Sequence, residues 1–227
     1  MQLIGFDDFP TQGRERLTEG QIGSVLHFLS ITLSEPHPGR GGAICPMMHV
    51  VMKHKRVYFG FFERGALSDI SQAARLMLRR FEKTRSTINA PTVLICFPHD
   101  LAVSFDEMYQ IQKELSARIL RQRTSMLSLI HPWALNESMY GVPGFCPLRV
   151  EVPAFIIRDV VPNDLPLLSR ERGSREERVR MFEMLIKVIE QHPDSDRNQL
   201  YLAEAQHCLE LANMGQDCAV DPGKFFR

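Results

Sequence analysis

The sequence predicts an α+β fold: a mixed four-stranded sheet with a β-α-β-α-β-β core, covered by helices, with an N-terminal helix before it and two C-terminal helices after it. Three observations carry this expectation. "PTVLICFP" is a short, unbroken apolar and β-branched run, the signature of a strand buried on both faces and central in its sheet. Strand-like and helix-like periodicities alternate through the middle of the chain, which points to a sheet covered by helices on one face. Ser104 with Glu107 and Ser174 with Glu177 each form the spacing of a capping box, and so mark helix starts.

The elements follow in order. "LTEGQIGSVLHFLSITLSEP" sets Ile22, Val25, Leu26, Leu29 and Leu33 at helical spacing, and Pro36 stops the run. The Pro and Gly density of "PHPGRGGAICPMM" predicts an irregular loop. "RVYFGFFE" reads as a strand ending near Gly65. From about Leu67 to Arg85 a helix gathers Ile70, Ala74, Met77, Leu78 and Phe81 on one stripe. "PTVLICFP" follows, and then the capped helix "SFDEMYQIQKELSARILRQR", with Met108, Ile111, Leu115 and Ile119 inward. "SMLSLIHP" and "PAFIIRDVV" are two further strands, joined by a long loop from Trp133 to Pro147. The C-terminal helices are "SREERVRMFEMLIKVIEQ" and "NQLYLAEAQHCLELANM", the second closed by Gly215. The whole is expected to be one α+β domain over residues 1–227, with a core at about 37–168 and a helical appendage at about 174–215.

Composition narrows the function. Lys and Arg number 27 and Asp and Glu 27, so the balanced chain lacks the basic excess of a nucleic-acid or anionic-lipid binder. Small-molecule or protein partners are expected instead. Five scattered cysteines without a C-x-x-C pair read as reduced thiols of a cytoplasmic protein. No stretch approaches the roughly 20 apolar residues of a membrane span. The glycine-rich nucleotide motifs, H-E-x-x-H and G-x-S-x-G are all absent, which counts against the usual nucleotide folds, zincins and α/β-hydrolases.

What remains is a set of polar residues at strand ends and in loops. Arg40, Cys45 and His49 lie in or beside the early glycine-rich loop. His99 and His131 each follow a strand, and with parallel neighbouring strands both emerge at one sheet edge. Two imidazoles there would suit a metal or a haem iron. Against this, "PHD" has the makings of an exposed turn, and a histidine closing an apolar strand can simply be a satisfied core residue. Cys45 has the equally plain reading of a small buried hydrophobe. Arg149 has the geometry to clamp a carboxylate, or to pair with Glu151 or Asp159.

"HPGRGGAICPMM", "VLICFPHD" and "LIHPWALNESMYGVPGFCPLRVEVPAFIIRDVVPNDLPLL" resemble, over most of residues 37 to 168, a bacterial domain-of-unknown-function family. Its pattern runs G-R-x-G-x-x-C-P-F, F-H-P, N…F-x-P-L-R and V-P-x-x-x-I-R-H-M-V-x-x-D-L-P-F-L. Cys45 and Pro46, His131 and Pro132, Asn136, Pro147 to Arg149, and Asp164 to Pro166 fall on it. The chain departs where Asp159 stands in place of the I-R-H histidine and Ile130 in place of phenylalanine. More distantly it is similar to the YqcI/YcgG-type haem proteins, some of which oxygenate amine or guanidine nitrogens.

That second resemblance implies a small-molecule-modifying enzyme, a haem-dependent oxygenase-like tailoring enzyme acting on an amine or amino-acid-derived substrate. His131 would be the axial ligand, with His99 and Cys45 as further cofactor contacts. Arg149 would hold a substrate carboxylate or a haem propionate, Asn136 would orient polar groups, and Asp159 would occupy the place of a lost ligand or base. The alternative is a non-catalytic small-molecule-binding or interaction protein of the same fold, with the C-terminal helices packed on the sheet or forming a homodimer. Metal-dependent hydrolysis through His99, His131 and Asp100 is a third reading.

Overall fold

β3 (Val93–Phe97) is buried along its whole length and lies at the centre of a five-stranded mixed sheet whose strands lie in the order Leu3–Gly5, Val57–Phe61, Val93–Phe97, Ala154–Asp159, Ser125–Ile130. The computed structural model describes all residues except 37–42, 46, 89–90, 123–124, 135–141, 143, 171–173, 192–195 and 226–227. β2 (Val57–Phe61) runs parallel to β3, and β5 (Ala154–Asp159) runs antiparallel to both β3 and β4 (Ser125–Ile130). The fifth strand is β1 (Leu3–Gly5), antiparallel to β2 at the edge. Three residues are too few to show a period-2 pattern, so the sequence predicts four strands where the chain forms five.

The sheet is covered on both faces, not on one as expected. On one face α4 (Ile70–Ile88) and α5 (Phe105–Gln122) set Ala74, Met77, Phe81, Met108, Leu115 and Ile119 against Leu94, Cys96, Phe155 and Ile157. The other face takes α1 (Phe9–Gln12), α2 (Glu19–His27) and α3 (Met48–Lys53), which bring Phe9, Val25, Met48 and Val51 against Val57, Phe59, Ile95 and Ile156. α2 continues as a π-helical turn, Phe28–Thr32, so the expected helix is present with an altered last turn. Phe9 lies flat on Phe59, with ring centroids 3.7 Å apart. Alternation along β5 sends Ala154 and Ile156 to one layer and Phe155 and Ile157 to the other, so both layers draw on the same strand.

A third cluster joins α6 (Leu165–Leu168), α7 (Arg175–Glu190), α8 (Asp196–Asn213) and the C-terminal tail. The Ser174 capping box is present, with the Glu177 amide donating to its hydroxyl. After α8, Gly215 takes a positive φ of 76°, and the Gln216 amide donates back to the Leu211 carbonyl, which reverses the chain. The reversal returns Cys218 to α8, where it is bonded to Cys208. Two of the five cysteines therefore form a disulfide, which corrects the expectation of reduced thiols. A separation of ten positions conceals a pairing that depends on the turn. Cys45 and Cys96 are buried and free, and Cys146 is free and half-buried.

A buried ion pair ties the end of β5 to the start of α6. Arg158 donates to both carboxylate oxygens of Asp164, at 2.8 and 2.7 Å, and also to the Asp159 carbonyl at 2.8 Å. Asp164 further accepts from the Val161 amide at 2.9 Å.

Candidate functional site

Where β2 and β3 end side by side, their following loops diverge into α4 and α5 and leave a cleft of about 610 Å³. The carboxyl ends of parallel strands are where such sheets collect ligands, because the loops there are free to vary above a rigid scaffold. One wall is the segment 63–68, with Glu63, Arg64, Leu67 and Ser68; the other is 98–111, with His99, Asp100, Val103, Glu107 and Ile111.

Several of these groups are already engaged. Glu63 accepts from the Met1 ammonium at 3.3 Å. Asp100 accepts from the Ala102 amide at 2.9 Å, in an Asx turn, and Ser68 donates to the Gly65 carbonyl at 2.6 Å. Arg16 donates to Nδ1 of His99 at 3.2 Å, which leaves Nε2 to carry the ring proton of the neutral form. Arg64 and Glu107 differ: both are exposed, and among the described residues neither side chain has a hydrogen-bond or ion-pair partner.

The sequence places His99 and His131 at one sheet edge, and they are there, but their strands are not neighbours. β5 runs antiparallel between β3 and β4, so β3 and β4 point the same way without pairing. The two histidines also differ in kind. His99 is exposed and lines the cleft. His131 is 3% exposed and lies behind it. Its Nδ1 accepts from the Trp133 amide at 3.1 Å, and its Nε2 therefore carries the proton and donates to the Val103 carbonyl, also at 3.1 Å.

The remaining candidates disperse. Asp159 is at the far end of β5, opposite Ser125 at the start of β4. Six residues of strand, roughly 20 Å at about 3.3 Å per residue, separate that end from His131. Asp159 instead accepts from Arg85 at 2.7 Å. Burial nevertheless holds its carboxyl above the ordinary carboxylate value, with Arg85 acting in the opposite direction. Cys45 is buried in the layer beneath β3, and burial pushes its thiol up, away from the thiolate that ligation or attack requires. Arg149 donates to the Ala134 carbonyl at 3.4 Å and to Cys146 Sγ at 3.8 Å, pinning the turn after β4 rather than pairing with Glu151 or Asp159. Asn136 and Arg40 lie outside the described residues.

Among the described residues the candidates do not converge on a haem site. Both ring nitrogens of His131 are already hydrogen-bonded, Cys45 lies outside the cleft lining, and the cleft beside His99 sets three carboxylates against the single Arg64, where a dianionic, largely apolar macrocycle needs an apolar slot and a cationic excess. Among the described residues no three His, Cys, Asp or Glu side chains converge as metal ligands. Likewise, no helix among them is long and apolar enough to cross a membrane.

Glu63, Arg64 and Glu107 were not singled out by sequence reasoning. "FERG" is an ordinary turn after a strand and Glu107 an ordinary capping-box residue, and only the divergence of α4 from α5 makes them walls of one cleft. No curated protein and no solved structure matches this chain. A family described as "Domain of unknown function (DUF6875)" matches residues 23–193, which takes in both cleft walls, His131 and the Arg158–Asp164 pair. The match covers three quarters of the sequence, and the chain belongs to that family.

Proposed function

We propose that the protein binds a small amine-bearing molecule, of the amino-acid-derived class, in the cleft between residues 63–68 and 98–111. The observation that carries this reading is the pair of unpartnered opposite charges on the two walls, Arg64 and Glu107. A guanidinium offers two parallel donors to a carboxylate, and a carboxylate accepts from an ammonium. A ligand holding both groups would satisfy both walls at once. A volume of about 610 Å³ is in the ordinary range for metabolite sites. Leu67, Val103 and Ile111 would cover an aliphatic stem, and His99 would offer its Nε2 to a polar substituent. The resemblance to amine-oxygenating haem proteins expected from the sequence would agree with the amine, but the cleft residues do not suit haem, so no oxygenation step follows from them.

A matched set of probes tests the reading by calorimetry: L-norleucine carries both charges, n-pentylamine only the ammonium and hexanoate only the carboxylate. Norleucine should bind best, and Arg64→Ala and Glu107→Gln should each weaken it about tenfold, the loss of roughly 1.4 kcal/mol expected for one charged contact. Equal affinity for all three probes, or variants that bind like the wild type, would sink it. A Soret band that forms on adding haemin and shifts in His99→Ala would restore the haem enzyme instead.

A further inference from the structure

We infer that His131 is the positioning residue of the cleft: a neutral imidazole that staples the β3–α5 segment to the end of β4 and so sets where His99, Asp100 and Glu107 stand. The inference rests on reading the cleft as a ligand site. The segment from Pro98 to Ser104 has local contacts of its own, the Asx turn at Asp100 and the Ser104 cap on Glu107. These fix its shape but not its place against the sheet. The β3–β5 ladder ends at the Cys96–Phe155 pair, so on that side no strand pairing holds the segment.

Besides the exposed Arg16–His99 hydrogen bond and the packing of Leu101 and Val103 on the core, His131 supplies the buried hydrogen-bonded tie. Its Nε2–H reaches the Val103 carbonyl, 28 residues away in sequence, and Val103 lies on the cleft wall between Asp100 and Glu107. The Phe105 ring, at the first position of α5, stands edge-on to the imidazole at 5.4 Å. The histidine is held from behind. Its own amide donates to the Leu148 carbonyl at 3.2 Å, its carbonyl accepts from the Ala134 amide at 3.0 Å, and Arg149 closes that turn on the Ala134 carbonyl. One ring nitrogen thus faces a donor and the other an acceptor, a combination met by a single neutral tautomer. This also accounts for a histidine closing a core strand: a phenyl ring would fill the space and leave the Trp133 amide and the Val103 carbonyl without their partner.

The two arms separate in conservative variants. The amide nitrogen of glutamine can take the place of Nε2 and donate to Val103, whereas the amide oxygen of asparagine can take the place of Nδ1 and accept from Trp133. Hydrogen exchange of the full chain reads both arms. In His131→Gln the amides of 98–107 should keep their protection while the Trp133 amide loses at least tenfold. In His131→Asn the pattern should reverse, and only this variant should weaken L-norleucine by tenfold or more. Equal behaviour of the two variants, or unchanged protection of 98–107 in His131→Asn, would overturn the staple. If the wild-type chain binds no norleucine, the ligand reading fails, while exchange at 98–107 still decides the role of His131.

Discussion

Asp164→Ala should be among the most destabilising single changes in this chain. The Arg158 side chain is 13% exposed and that of Asp164 7%, and their two hydrogen bonds at 2.8 and 2.7 Å leave the guanidinium in fixed register. Removing the carboxylate strands a buried cation, a loss of about 3–5 kcal/mol when one partner of a buried pair is deleted. The Val161 amide loses its acceptor as well, which adds about 1 kcal/mol or more. In a domain of this size each kcal/mol lowers Tm by roughly 2–4 °C, so a drop of about 10 °C or more is expected. Urea unfolding of four proteins checks the reasoning: wild type, Asp164→Ala, Asp164→Asn and Arg158→Met/Asp164→Leu. The asparagine variant should fall between wild type and alanine, because it keeps one acceptor. The double variant should recover most of the loss, because neither charge of the pair is then left buried without the other. An alanine variant within about 1 kcal/mol of wild type would refute the account, and a double variant as unstable as the alanine single would show that the loss is packing and not charge.

Three further outcomes follow from the fold. Asp159 takes up a proton at a higher pH than the 3.8 of an unperturbed aspartate, so the folded state binds more protons than the unfolded one and stability falls as pH rises through that window. Asp159→Asn should remove that component, and denaturant midpoints across acidic pH should then run flatter than in wild type; a steeper fall would contradict the burial argument. Reduction of Cys208–Cys218, ten residues apart, should cost roughly 2–3 kcal/mol by loop entropy and make the tail after Gly215 the first site of limited proteolysis, whereas proteolysis insensitive to dithiothreitol would show that the tail is held by its other contacts. Phe9→Ala empties the space over Phe59 on a face where Phe9 is fully buried, and should cost about 3–5 kcal/mol in urea melts, with a value below 1 kcal/mol excluding a core role for the N-terminal helices.

Much of the architecture was legible because local patterns report burial directly. "VLICF" is apolar without interruption because β3 is covered on both faces, and its central place follows from that. The stripe Ala74, Met77, Leu78 and Phe81 predicts the inner face of α4 for the same reason. Ser104 and Ser174 mark helix starts through hydrogen bonds made within one turn. β1 escaped because three residues have no period, and the second covered face escaped because α1 is four residues in a polar lead-in and α3 six residues directly after a Pro- and Gly-rich loop, both too short to show a helical stripe.

The candidate site was legible only in part. His131 stands out in sequence because a histidine at the end of an apolar strand invites a role, but its role depends on Val103 and Trp133, and the former is 28 positions away. A lost-ligand place for Asp159 would require it near His131, and the antiparallel register puts the two at opposite ends of the sheet. By itself the sequence determined four of the five strands, the longer helices with their buried stripes, and that His99 and His131 leave their strands at the same edge. Only the tertiary structure decided that Arg64 and Glu107 share a cleft, that Cys208 meets Cys218, and that His131 is engaged at both nitrogens. Periodicity and capping are written in residues a turn or a pleat apart, whereas pairing across a sheet depends on strand order and register, which no short stretch of chain encodes.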